Sequence, residues 1–195
     1  MPPQPPSDED KEILVAAARV VARAGPGGLS PAAVAEACGK APAVVTRRFG
    51  SRRDLLLAVA RFCADHAREV LADLRAGAAS PVEALIHSYL AFVDPGAAPD
   101  HVAHHLAFLQ LDVTDPDLRA IALGQLRDLE AHGAALIRDA VRLGELRPCD
   151  EAGLARALQV AYSGGLLRWG LTQEGSVRDT LAADLSAALG PWRAR

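Results

Sequence analysis

Aromatic residues are scarce in this chain of 195 residues, since phenylalanine, tyrosine and tryptophan together make up 4% of it. Half of the residues are hydrophobic, so the chain can still bury a sizeable core, and that core must be aliphatic and rich in alanine. Alanine and leucine favour helix, and no segment shows the apolar–polar alternation expected of a half-buried strand. We therefore predict an all-α protein.

Cysteines and long hydrophobic runs are also scarce. The three cysteines, Cys38, Cys63 and Cys149, are odd in number and far apart, which suits neither a disulfide framework nor a zinc motif. No run of about 18 or more uncharged apolar residues is present, so we expect no membrane-spanning helix. The start of the chain, MPPQPPSDEDK, lacks the basic and apolar regions of a secretory signal. These features predict a cytoplasmic protein with a disordered leader at residues 1–7.

Catalytic and metal-binding motifs are missing as well. The chain has no G-x-S-x-G, no phosphate-binding loop and no dinucleotide fingerprint, so we expect neither an enzyme nor an organic cofactor. His101 and His105 are spaced to share one helical face and could bind zinc, but the glutamate of H-E-x-x-H is absent. A histidine-based metal-binding helical protein is therefore an alternative reading, and no metal site is predicted.

Charge is distributed unevenly along the chain, although its net value is only −3. Between Lys11 and Arg61 there are nine basic residues and three acidic ones. From Phe62 onward there are twelve basic residues and eighteen acidic ones. A basic segment joined to an acidic remainder is typical of a protein that contacts nucleic acid with one end only.

Capping residues, prolines and glycines predict about nine helices. A capping box at Ser7–Asp10 begins the first helix, and GPGG from Gly25 ends it. Ser30 begins the second helix, Pro42 lies at the start of the third, and Ser51 caps a long fourth one. The remaining helices are predicted at about 80–93, 100–111, 114–143, 150–170 and 177–189.

The second and third helices follow the pattern of a helix-turn-helix, LSPAAVAEACGKAPAVVTRRF at residues 29–49. Gly39 suits the left-handed turn conformation, and Val34, Val45 and Phe49 would anchor both helices on the first. Cations there could bind phosphates or guanine edges, and methyl groups could contact thymine. The predicted DNA-contacting residues are Lys40, Ala43, Val44, Thr46, Arg47, Arg48, Ser51 and Arg52.

Three segments, ILVAAARVVARAG, LSPAAVAEACG and RRFGSRRDLLLAV, resemble the N-terminal part of TetR-family transcriptional regulators. The resemblance covers residues 13–59. It implies an N-terminal three-helix DNA-binding domain, here 8–53, and a C-terminal helical ligand-binding and dimerisation domain, here 54–195. It also implies a homodimer on double-stranded DNA, most often a repressor that a small effector releases from a palindromic operator.

Three positions differ from the common pattern of that family. The family usually has a small apolar residue at Lys40, a capping serine or threonine at Ala41, and a phosphate-contacting tyrosine at Thr46. We therefore expect altered phosphate contacts, and a loss of about 1 kcal/mol of capping energy at Ala41. A helical small-molecule-binding protein without sequence-specific DNA binding is the alternative that these differences leave open.

Larger side chains of the C-terminal domain are candidates for an effector pocket, which we expect to hold a small, largely apolar molecule. The alternative at each position is an ordinary core residue. The candidate lining residues are Tyr89, Phe92, His105, Phe108, Leu129, Tyr162 and Trp169.

Small residues in ALQVAYSGGLLRWGL and a leucine stripe in the last helix are candidates for the dimer contact. Two adjacent glycines inside a helix cost roughly 1 kcal/mol each relative to alanine, which favours a close helix approach there. The alternative is that both helices pack within one subunit. The predicted interface residues are Ala157, Ala161, Gly164, Gly165, Leu181, Leu185 and Leu189.

Overall fold

The computed structural model describes residues 6–77, 79–94 and 98–194, so most of the predicted leader lies outside the described residues. Within these ranges the regular structure is helical, apart from one isolated bridge between Leu146 and Arg193. The all-α prediction is confirmed. The helices are α1 Asp8–Gly28, α2 Pro31–Cys38, α3 Pro42–Phe49, α4 Arg52–Gly77, α5 Pro81–Leu90, α6 Pro99–Thr114, α7 Pro116–Arg142, α8 Glu151–Thr172 and α9 Val177–Leu189, followed by a 3-10 turn Gly190–Trp192.

The first helices begin where their capping residues predict. Ser7 and Asp10 form a reciprocal capping box, in which each side chain accepts a hydrogen bond from the other residue's backbone N–H. The Ser30 hydroxyl accepts from the backbone N–H of Ala33, 3.1 Å away, at the start of α2. Helix α3 begins at Ala41 without a side-chain cap, as expected from the alanine there.

The predicted end of the first helix is an interruption rather than a stop. Gly25 has φ 68° and ψ 175°, which breaks the helical path at a position where a residue with a side chain would be strained. Pro26 follows, and helical hydrogen bonding resumes for one turn as far as Gly28. Two successive helical pieces therefore make up α1.

The later helices agree with the predicted elements and differ at their ends. Helix α5 ends at Leu90, whereas the sequence predicted about Val93. Its end coincides with two carbonyls, of Leu90 and Val93, that accept hydrogen bonds from the Arg178 guanidinium. Helix α9 has its predicted bounds. Within the described ranges, no helix is both long and apolar enough to cross a membrane.

The described residues separate into two compact units, each with its own core. The first unit comprises 6–65 and 103–122, and the second comprises the described residues of 66–102 and 123–194. Residues 103–122 thus belong with the N-terminal helices, a contribution that the sequence division at residue 53 did not include. Fully buried side chains centre the first core on Ile13, Val34, Val45 and Leu55, and the second on Leu85, Tyr89, Ile137, Leu158 and Leu185.

Candidate nucleic-acid interface

Helix α3 is anchored on one side and exposed on the other. Val45 is fully buried and shares the first core with Val34 of α2. Gly39, at the end of α2, has φ 66° and ψ 29°, the left-handed conformation that the turn requires. Thr46 and Arg47 are exposed, and within the described residues neither side chain forms a hydrogen bond or ion pair. These two side chains are available to a partner outside the chain.

Lys40 and Arg48 are engaged with the beginning of α1. The Lys40 ammonium lies 3.0 Å from a carboxylate oxygen of Glu12 and 3.8 Å from one of Glu9. The Arg48 guanidinium lies 3.0 Å from Asp10 Oδ1 and also pairs with Glu9. The sequence assigns Asp10 to the capping box and does not predict these contacts. Whether Lys40 and Arg48 contact DNA stays a prediction, and such contact must compete with these ion pairs.

Arg52 holds the break in α1. Its Nε donates to the carbonyl oxygen of Leu29 at 2.7 Å, and its Nη2 donates to that of Pro26 at 2.6 Å and of Gly27 at 3.3 Å. Helix ends leave carbonyls without intrahelical donors, and a guanidinium supplies several donors at once. The GPGG sequence indicates a helix end, and a helix end leaves carbonyls that need hydrogen-bond donors from elsewhere in the chain. Arg52 therefore braces the fold, whether or not it also contacts DNA.

The other three predicted DNA-contacting residues lie in three different environments: one is exposed to solvent, one packs against the core and one caps a helix. Ala43 is exposed, whereas Val44 is half-buried against the first core. Ser51 caps α4: its hydroxyl oxygen accepts from the backbone N–H of Asp54 at 3.2 Å, and its own N–H donates to the Asp54 carboxylate. The Ser51 hydroxyl also donates to the Asp54 carboxylate at 2.6 Å, and this bond, together with the one from the Ser51 N–H, holds the pKa of Asp54 below its ordinary value.

The seven predicted effector-lining residues do not form one group. His105 and Phe108 belong to the first unit and the other five to the second. In the second unit the rings of Tyr89 and Tyr162 lie 5.5 Å apart, and burial raises the pKa of Tyr162 to about 12. Leu129 packs against the same core, whereas Phe92 is 45% exposed. Trp169 is buried and donates to the carbonyl of Gly175, so it serves the fold locally.

A cleft of about 540 Å³ in the second unit is lined by other residues, from α4 and α7. Arg68 Nε lies 2.6 Å from Asp128 Oδ2 across it. His132 Nε2 lies 2.8 Å from the Ser88 hydroxyl, and burial together with the nearby Arg75 lowers the pKa of His132. The full lining is Arg68, Leu71, Ala72, Arg75, Ala76, Asp128 and His132. None of the seven predicted residues lines this cleft.

The predicted dimer residues are divided between the interior and the surface. Leu181, Leu185 and Leu189 are at most 1% exposed, because α9 packs within the second unit. Gly165 is buried as well. A second copy cannot reach these side chains, so the predicted leucine stripe is a core feature. Ala157 and Gly164 are exposed and Ala161 is half-buried.

Helix α8 nevertheless presents an apolar face that the sequence prediction named only in part. Val160 is 67% exposed, Leu167 is 51% exposed and Leu171 is 79% exposed. With Gly164 they recur at helical spacing along one face. The regular spacing of these apolar residues in the sequence could have indicated this face. We call Val160, Gly164, Leu167 and Leu171 the α8 stripe.

The histidines weighed as zinc ligands do not form a site among the described residues. No group of three or more histidine, cysteine, aspartate or glutamate side chains there is placed to hold a metal ion. His104, which lies between the two candidates in sequence, has its Nδ1 3.0 Å from the carbonyl oxygen of Ala22.

Comparison with known proteins gives this geometry a family. Residues 13–59 match the model of the bacterial regulatory proteins of the tetR family, a segment that spans most of α1, all of α2 and α3 and the first turns of α4. A candidate TetR-family transcriptional regulator from Rhodococcus sp. has a similar structure, with 28% identity and a TM-score of 0.67. That alignment covers 90% of this chain and 94% of that one. Residues 13–59 therefore form a DNA-binding domain of the TetR family. The chain is accordingly a DNA-binding transcriptional regulator rather than an enzyme.

Other solved structures extend the similarity of fold over nearly the whole chain. A candidate transcriptional regulator from Saccharomonospora viridis, solved in complex with choline, is 21% identical with a TM-score of 0.79. That alignment covers 95% of this chain and 97% of that one. A TetR transcription regulator from Haloarcula marismortui is 18% identical with a TM-score of 0.78, covering 94% and 97%. A comparison with curated proteins found no match.

Proposed function

We propose that this cytoplasmic regulator binds a palindromic operator as a homodimer, represses transcription there, and is released by a small, largely apolar effector. The exposed pair Thr46 and Arg47 on the anchored helix α3 carries the proposal. A hydroxyl and a guanidinium on one helical turn can bind base edges and phosphates in a major groove. Val45 holds the helix from behind, so the pair is displayed on a rigid support.

Dimerisation follows from the small size of the reading surface. One eight-residue helix presents few base contacts, whereas two copies on a two-fold axis would read half-sites about 34–36 Å apart or a multiple of that spacing. The α8 stripe offers an apolar surface for the second copy, and Gly164 within it has open space where a side chain would lie. We place the dimer contact on this stripe.

Release by an effector requires that the ligand and the DNA favour different conformations. The fold suits this, because α4, α6 and α7 each contribute residues to both compact units. In the first unit, Arg53 at the start of α4 pairs with Asp115 and Asp117, where α6 gives way to α7. The Saccharomonospora viridis structure contains choline, which supports a small organic ligand for proteins of this shape.

Selection of bound sequences from random duplex DNA tests the proposal. We expect enrichment of a palindrome, and Arg47→Ala should weaken binding to it. Loss of a phosphate contact would reduce the salt slope by about 1, whereas loss of a base contact would relax specificity at one position at a cost of about 1–3 kcal/mol.

Arg23→Ala is the matched control. Arg23 is an exposed cation of α1 that lies about 16 Å along the helix from Glu12, which contacts Lys40. It should leave the operator affinity unchanged. Failure of the unaltered protein to enrich any sequence would contradict the proposal and favour a helical small-molecule-binding protein. Enrichment of a sequence without two-fold symmetry would contradict the dimeric operator.

A further inference from the structure

Helix α1 begins with a group of acids that faces the start and the end of α3. We call Asp8, Glu9, Asp10 and Glu12 the acidic turn. Glu9 contacts both Lys40 and Arg48, Glu12 binds Lys40 at 3.0 Å, and Asp10 binds Arg48 at 3.0 Å. Two of the cations nearest the exposed face of α3 are therefore already neutralised within the chain.

These contacts divide the cations of the helix-turn-helix into two kinds. Arg47 has no carboxylate partner among the described residues, whereas the Lys40 side chain is only 21% exposed and that of Arg48 only 33% exposed. The hydrogen bond to Glu12 also keeps the pKa of Lys40 above its ordinary value. From residue 8 to residue 61, nine basic side chains stand against six acidic ones. The acidic turn supplies four of those six.

We propose that the acidic turn competes with DNA phosphate for Lys40 and Arg48, and that Glu9 and Glu12 thereby determine the specificity of operator binding. Binding to arbitrary DNA depends on the number of phosphates that cations neutralise, because each one releases counterions. Cations that are paired with carboxylates contribute less to this counterion-release affinity. Thr46 and Arg47, which are proposed to contact the bases, are not involved in these ion pairs. An operator complex held by Thr46 and Arg47 can keep these ion pairs, whereas arbitrary duplex offers no base contacts to replace the lost phosphate contacts. The internal ion pairs therefore lower affinity for arbitrary duplex more than affinity for the operator. This inference rests on the proposed DNA contact of α3.

The test is the double variant Glu9→Gln with Glu12→Gln, which removes two charges and keeps the Ser7–Asp10 capping box. Binding is measured on a duplex of scrambled sequence and on the selected operator over a range of salt concentrations. Exposed ion pairs are individually weak, so we expect about 3- to 20-fold tighter binding to the scrambled duplex at low salt and a smaller gain on the operator. The salt dependence should steepen by about 1 to 2 units of slope.

Glu36→Gln is the matched control, because Glu36 is exposed on α2 and its carboxylate forms no ion pair or hydrogen bond among the described residues. It should change the affinity for either duplex less than twofold. A second comparison uses Lys40→Met in both backgrounds. We expect it to cost more affinity when Glu9 and Glu12 have been replaced, since Lys40 is then free to bind phosphate.

The outcomes separate this inference from the proposed function. If the unaltered protein binds its operator but the Glu9/Glu12 variant behaves like Glu36→Gln on scrambled DNA, only the competition is refuted. Weaker binding by the Glu9/Glu12 variant would also refute it, and would mean that the acids orient Lys40 and Arg48 for contact. A protein that binds no duplex, with or without the acids, would refute both proposals.

Discussion

Gly165 of α8 faces Leu181 of α9 so closely that a Cβ on the glycine would lie 2.7 Å from Leu181 Cδ2. Leu181 is fully buried, so its side chain has little free space into which it could rotate. We therefore expect Gly165→Ala to lower the free energy of unfolding by about 1 kcal/mol, because overpacking outweighs the gain in helix propensity. Urea denaturation followed by circular dichroism measures this.

Gly124→Ala provides the comparison for that substitution. Gly124 lies inside α7, and a Cβ there would have no neighbour within 4 Å. Alanine at this site should raise the free energy of unfolding by about 0.5–1 kcal/mol. If the two variants shifted stability in the same direction, the close approach of α8 and α9 would not be the reason for glycine at 165.

Ala41→Ser should strengthen the start of α3. Ala41 occupies the N-cap position with φ −77° and ψ 141° and offers no side-chain acceptor. A serine there can accept a hydrogen bond from the backbone of the first turn, which is worth about 1 kcal/mol. The midpoint of urea denaturation should rise accordingly. Ser30→Ala, which deletes the existing cap of α2, should lower it by a similar amount.

Asp112→Asn should change the pH dependence of stability. Burial raises the pKa of Asp112 to about 6, and no described residue forms an ion pair or hydrogen bond with its carboxylate. The folded state therefore favours the protonated acid. Stability from this group is present below about pH 4 and is lost as the pH rises through about 6, where the half-buried carboxyl group ionises in the folded state.

Thermal unfolding between pH 4 and pH 7 measures that change. Asparagine cannot ionise, so the variant should lose the decline between about pH 4 and pH 6 and be the more stable protein at pH 7. Asp73→Asn, at an exposed aspartate of α4, should keep the decline. A decline that persists in the Asp112 variant would show that another group causes it.

Leu167→Glu should disrupt the proposed dimer. Leu167 lies in the α8 stripe, and a charge there would be buried without a partner if a second copy covers the stripe. Light scattering should then report a shift from dimer towards monomer. Leu143→Glu is the matched change at a leucine that is 60% exposed outside the stripe, and it should leave the mass unaltered. Equal masses for both variants would place the contact elsewhere.

The sequence predicts local features well where one or two neighbouring residues decide them. The Ser7–Asp10 box, the left-handed Gly39 and the uncapped Ala41 each follow from a short-range rule, and each is confirmed. The family of residues 13–59 also follows, because the match over that segment is continuous.

Contacts between distant segments are less accessible to sequence reasoning. Arg48 is 38 residues from Asp10, and no short-range rule links them. The leucines of α9 and the exposed residues of α8 both show helical spacing, so periodicity alone does not tell which face packs within the chain. Leu181 proved to be core and Leu167 exposed because α9 covers one side of α8 and leaves the opposite side uncovered within the chain.

The break in α1 has a consequence for how α6 moves. Gly25 leaves room for the imidazole of His104, whose Cδ2 lies 3.0 Å from the place where a Cβ would stand, while His104 Nδ1 meets the Ala22 carbonyl. Because the His104 ring lies against the backbone at Gly25 and is also hydrogen-bonded to Ala22, it opposes sliding of α6 along α1. We therefore expect a displacement of this stretch of α6 to shift the C-terminal part of α1 as well.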